Sequence, residues 1–229
     1  MTHDNDAVPA GWTSVPDGLW DAAQEAALQT VADSRSAEWL VRYYKTSGGY
    51  AGSTFLDASP VVSHEFTTAD LFAITQLSVA APKPRVARLI LDDGPARTKL
   101  TDLLKAVPDD VDLADACSDT LEAMSALYER VRATLGRDPW VTAGKLCARK
   151  RSRLFPIRDR MVCSLLGLTS LHNYGVDWQI YRRLMNDDAL VSELHTCQQR
   201  AVQQPEVRMD PYPLRWLDVI LWMRATSGS

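Results

Sequence analysis

Apolar residues recur every three or four positions along most of the chain, and no apolar–polar alternation runs long enough to predict a strand. Residues 17–45 are rich in Ala, Gln, Glu and Leu, with Leu19, Trp20, Ala23, Ala27 and Val31 on one helical face. Trp39, Leu40, Tyr43 and Tyr44 extend the pattern. The glycines of 47–53 then break it, predicting a loop with a short extended piece through Phe55. Thr67 followed by Asp70 has the spacing of a capping box ahead of Leu71, Phe72, Ile74 and Leu77. Pro82 and Pro84 close that helix, and Val86, Leu89 and Ile90 open the next. Beyond Gly94-Pro95, Leu100, Leu103, Leu104 and Val107 mark a short helix ending at Pro108.

From Asp112 the series Cys117, Leu121, Met124, Leu127, Tyr128, Val131, Leu135 predicts the longest amphipathic helix, with Gly136 as its stop. Short helices follow over 140–150 and 160–166, with a turn at Phe155-Pro156 between them, then over 178–184 and 190–202. Residues 214–223, with Trp216, Leu217, Ile220 and Leu221, read as an apolar closing helix. There is no internal repeat. Short helices joined by tight turns predict an all-α orthogonal bundle over 17–229 as one domain, preceded by a flexible tail over 1–16.

Composition sharpens this picture in two respects. Apolar residues make up 46% of the 229, enough to fill a core, and charged residues 24%. The net charge is −4, so nucleic-acid binding would require a local patch. Residues 1–16 have no apolar centre of a signal peptide, and no apolar run reaches membrane-spanning length. Four widely spaced cysteines and four scattered histidines form no ligand set, so neither a metal nor another cofactor is expected. Buried, reduced thiols in a cytoplasmic protein are expected.

The strongest local departure is the segment 145–160, with Lys145, Arg149, Lys150, Arg151, Arg153, Arg158 and Arg160 against a single acid, Asp159. Such a cluster suits a phosphate backbone, where counterion release supplies affinity. The same cations also suit a helix C-terminus or pairing with the acidic run 109–119. Both readings stand at this level.

Lys145-Leu146-Cys147-Ala148-Arg149-Lys150-Arg151, followed by Pro156-Ile157-Arg158-Asp159, resembles the hallmark of an actinobacterial all-α domain family without an assigned activity, over about 39–223. A more distant resemblance, over about 135–162, is to helix-hairpin-helix DNA glycosylases. In those enzymes a glycine-rich hairpin precedes Thr-Ala, a short helix and a Phe-Pro-Val-Asp turn. Here Leu135-Gly136-Arg137-Asp138-Pro139-Trp140-Val141-Thr142-Ala143 stands at the hairpin and Phe155-Pro156-Ile157-Arg158-Asp159 at the turn.

The resemblance implies DNA as partner, hairpin amides around Gly136 facing a phosphate, and Asp159 stabilising positive charge on the deoxyribose beside a flipped base. The flanking cations would hold the strand. Three departures qualify it: Pro139-Trp140 replaces the second glycine, Val141 stands where bifunctional enzymes carry lysine, and Arg158 is an extra residue in the turn. With Val141 there, monofunctional hydrolysis of the N-glycosidic bond is the implied chemistry. The structural alternative for Asp159 is an N-cap of the following helix or a partner for Arg149 or Arg153. The alternative for the whole chain is an interaction module whose basic segment docks an acidic protein.

Overall fold

The computed structural model describes residues 8–136 and 139–227. Among them are twelve α-helices, one 3-10 turn and no strand; the one β-bridge joins Lys45 and Val207. No helix among the described residues is long and apolar enough to cross a membrane. The helices belong to two compact units interleaved along the chain.

The first unit comprises mainly Thr54–Asp112 and Ala116–Ile157. It holds α3 (Thr54–Asp57), α4 (Thr68–Thr75), α5 (Pro84–Leu91), α6 (Pro95–Ala106), α7 (Ser118–Leu135) and α8 (Trp140–Lys150). The expected extended piece through Phe55 is instead the helical turn α3, with Phe55 buried. The capping box of α4 is complete, since the Thr67 side chain accepts from the Asp70 amide and Asp70 accepts from the Thr67 amide. α7 is the spine: α5, α6 and α8 all pack on it, and α4 packs on α8. Its apolar stripe, Leu121, Met124, Leu127, Tyr128 and Val131, is buried as the periodicity predicts. The helix starts later than Asp112 because Leu113–Asp115 forms the 3-10 turn. Gly136 ends it at φ +99°, a backbone conformation that favours glycine. Cys117, expected inside, is exposed at the N-cap of α7, whereas the other three cysteines are buried.

The second unit comprises Ala10–Ser53, Leu113–Asp115 and the chain from Arg158 onward. It contains α1 (Leu19–Val31), α2 (Ser36–Tyr44), α9 (Arg160–Leu165), α10 (Tyr174–Met185), α11 (Asp188–Ala201) and α12 (Pro213–Thr226). α12 is its centre, packed on α1, α2, α9 and α11, and residues 214–221 are all buried. A helix apolar on nearly every side has no solvent face to offer, so the unit closes around it. Its two internal charges are matched to each other, Arg215 Nη2 lying 2.5 Å from Asp218 Oδ2. Nearby, Tyr44 donates to Asp210 Oδ2 at 2.9 Å and Trp216 Nε1 to the Asp210 carbonyl at 2.6 Å.

Residues 12 and 13, within the stretch read as a tail, are engaged by this unit. The Trp12 ring lies 5.9 Å from Trp178 and 6.2 Å from Tyr174, and Gln179 donates to the Thr13 carbonyl at 2.9 Å. Gly175 sits under the same indole; a Cβ there would come within 3.1 Å of it. Trp12→Ala is expected to lower stability by about 2 kcal/mol, read as the shift of the urea unfolding midpoint. An unchanged midpoint would show that this segment does not hold the unit.

Candidate nucleic-acid interface

The basic segment begins on α8, whose face toward its neighbours is made of small residues: Ala143, Gly144, Cys147 and Ala148 are buried together with Leu146. Small side chains let α8 approach α4 and α7 closely, so the long cationic side chains that share the helix must run between elements. Three of them end on the terminal backbone of other helices, and Lys150 ends on the loop between α3 and α4. Lys145 Nζ donates to the Leu77 carbonyl just past α4 at 2.6 Å. Arg149 donates through Nη1 and Nη2 to the carbonyls of Leu56 and Ala58 at the end of α3. Lys150 Nζ reaches the Val62 carbonyl at 2.5 Å. Arg151 takes the Leu104 and Val107 carbonyls at the end of α6 at 2.6 and 2.8 Å. It also holds the Ser63 carbonyl at 2.8 Å and faces His64 Nδ1 at 3.3 Å.

These carbonyls include those a helix leaves without an intrahelical donor, and the negative end of the helix dipole lies there, so a cation suits them twice over. Asp70 supplies the countercharge. Its Oδ1 accepts from Arg149 Nε at 3.0 Å and its Oδ2 from Lys150 Nζ at 2.8 Å and from the Thr67 amide at 2.8 Å. The Asp70 side chain is wholly buried, and those of Arg149 and Lys150 nearly so. Burial pulls the Lys150 ammonium below its ordinary value, against the opposing pull of Asp70, and burial likewise lowers Arg151.

The remaining candidates are placed differently. Arg153 forks onto Asp112 at 2.9 and 2.7 Å, a part-exposed pair within the acidic run that the sequence offered as an internal partner. Arg158 opens the second unit and donates to Asp177 Oδ2 at 2.6 Å; both side chains are buried. Burial pushes the Asp177 carboxyl up, and Arg158 draws it back. Asp159 caps α9, accepting from the Met161 amide at 2.9 Å, and is half-buried. Arg160 is exposed. Arg137 and Asp138 of the expected hairpin lie outside the described residues; Gly136 before them is exposed, and Pro139 after them is half-buried.

Lys145, Arg149, Lys150, Arg151 and Arg158, read from sequence as phosphate contacts, therefore have their donors engaged within the two units. Contact with a phosphate would first require breaking those bonds. The structure does bring the α8 cations together, but around Asp70 and backbone carbonyls. Asp70 was visible in the sequence only as half of a capping box, and nothing local marked it as the anion on which α8 closes.

The opposite end of α8 is also held, the Tyr128 hydroxyl donating to the Trp140 carbonyl at 3.3 Å. Its N-cap, Pro139, makes no side-chain cap, and Trp140, Val141 and Thr142 of the first turn are half-buried.

Removing one partner of the Asp70 cluster strands the others. Arg149→Ala is expected to cost about 3–5 kcal/mol by urea unfolding, since it exposes no solvent route to a buried carboxylate and two carbonyls. Asp159→Ala is expected to cost about 1 kcal/mol and Asp159→Asn close to nothing, because Asn caps a helix as well as Asp. Equal losses for Arg149→Ala and Asp159→Ala would contradict this ranking.

No curated protein and no solved structure matches the chain. A family match covers residues 36–225, close to the span over which the resemblance to an all-α family was read, and it carries no link to glycosylases. The chain belongs to a family of unknown function (DUF6308).

Proposed function

We propose that this protein binds DNA through Gly136 and the first turn of α8, with Asp159 as the carboxylate of a monofunctional base-excision reaction. The observation that carries the reading is the division of roles along α8. Its C-terminal half is clamped by Lys145, Arg149 and Lys150, while its N-terminal turn, whose N-cap Pro139 makes no side-chain cap, is half-buried. Peptide N–H groups in the first turn of a helix have no intrahelical acceptor, and with the helix dipole they favour a phosphate. A helix held at its far end presents those groups without the cost of ordering them on binding. The basic residues on this reading pre-organise the contact and do not make it.

The order of elements along the chain supports the chemistry. After α8 come a turn over 152–154, Phe155-Pro156, Asp159 and α9, the order of parts that the glycosylase resemblance implies. In the reaction, water adds to C1′ of the deoxyribose, and the N-glycosidic bond breaks with its electron pair leaving on the base, which takes up a proton. A carboxylate stabilises the positive charge that builds on the sugar. Val141 leaves no amine at that position to form a Schiff base, so strand cleavage is not part of the proposal.

The test is fluorescence anisotropy of a labelled duplex carrying an abasic-site mimic, at low and moderate salt. Binding is expected to weaken with salt, and Thr142→Glu is expected to weaken it at least about tenfold with melting unchanged, because an acid in the first turn suits the helix while repelling phosphate. Absence of binding at low salt overturns the reading. Binding without release of any base from a panel of damaged and modified duplexes removes the excision step alone. Where release is seen, Asp159→Asn is expected to abolish it with binding retained.

A further inference from the structure

Five of the seven cations that stand out in sequence are internal, so the positive surface of the first unit lies elsewhere. In the first unit it is the α5–α6 pair. Lys83, Arg85 and Arg88 on and before α5 are exposed, as are Lys99 and Lys105 on α6. Among the described residues none of these five makes an ion pair, whereas Arg97 beside them is matched by Glu65 at 2.7 Å and Asp93 at 2.6 Å. From residue 83 to 99 five cations face two acids in a chain of net charge −4. α5 buries Ile90 and packs on α6 and α7, which leaves Arg85, Arg88 and Leu89, three and four residues apart, on the face away from that contact.

We propose that this face of α5, extended by Lys99 and Lys105, is a phosphate-contacting surface for the backbone of duplex DNA. The proposal deepens the DNA-binding reading and rests on it. Charge complementarity is the argument for the occupant. A net-acidic protein repels DNA at long range, and at physiological salt a charge acts over only about 8 Å, so local unpaired cations decide where the backbone is held. An anionic membrane suits the face less well. α5 has eight residues, and Leu89, 44% exposed, is the one large apolar side chain that it leaves strongly exposed. Interfacial helices bury a broad apolar face.

The deciding experiment measures duplex affinity across a salt series for the wild-type full chain, Arg85→Ala/Arg88→Ala, Thr142→Glu, and a control, Arg200→Ala/Arg208→Ala, which removes two exposed cations of the second unit. Arg85→Ala/Arg88→Ala is expected to bind about tenfold more weakly at low salt and to flatten the slope of log affinity against log salt by about 1.8, the loss of two phosphate contacts. Its melting temperature and the affinity of the control are expected to stay at wild-type values. Wild-type affinity and slope in Arg85→Ala/Arg88→Ala overturn the proposal, and loss of binding in Thr142→Glu alongside them leaves the α8 reading intact. No duplex binding by the wild type overturns both. Vesicles of phosphatidylserine and phosphatidylcholine are the second probe. Vesicle binding that needs Arg85 and Arg88, with duplex binding indifferent to them, assigns the face to a membrane and overturns the DNA assignment.

Discussion

A buried carboxylate and a set of helix-end carbonyls, all answered by cations from a single helix, hold the first unit together. Asp70, Arg149 and Lys150 would each be costly to bury alone, by several kcal/mol per ion. The cost is offset because each charge meets partners on more than one side, and hydrogen bonds to charged groups contribute roughly twice what neutral ones do. The result is positional. Three helices, α3, α4 and α6, end against α8, so displacing α8 would uncover the carbonyls of all three.

The second unit solves the same problem with paired charges. Arg215 with Asp218 lies within the central helix, Arg158 with Asp177 joins the start of α9 to α10, and Asp210 gathers Tyr44 and Trp216. Burial pushes the Tyr43 and Tyr44 hydroxyls well above their ordinary range, with Asp210 adding to the effect, so both remain neutral donors. Buried charge in both units thus acts as internal fastening, with apolar packing around it.

That use of charge bears on function. A cation bound to three carbonyls is a poor ligand for a passing phosphate, but it makes a rigid post. A helix so fixed at one end holds its first turn in a set geometry. Phosphate backbones are recognised by such pre-set N–H groups together with mobile surface cations. In this molecule the two kinds of group occupy different helices of one unit: α8 for the first and α5–α6 for the second.

Periodicity alone was enough for most of the helices. The 3.6-residue stripe located α7 and its stop at Gly136, α8 over 140–150, and the buried closing helix, because each signal is local and repeats over several turns. The capping box at Thr67 and Asp70 and the cap at Asp159 were legible for the same reason, since donor and acceptor lie two or three residues apart. At Phe55 the glycines on one side hid a helical turn too short to show a period. Local chemistry left two destinations open for the basic segment, phosphate or fold. Only the tertiary structure chose, by bringing Asp70, some 80 residues away in sequence, and the ends of α3, α4 and α6 against α8. The same packing left Arg85 and Arg88 outside. Whether a cation faces water or a carbonyl depends on which helix ends meet it, and that is settled by burial of apolar faces far along the chain.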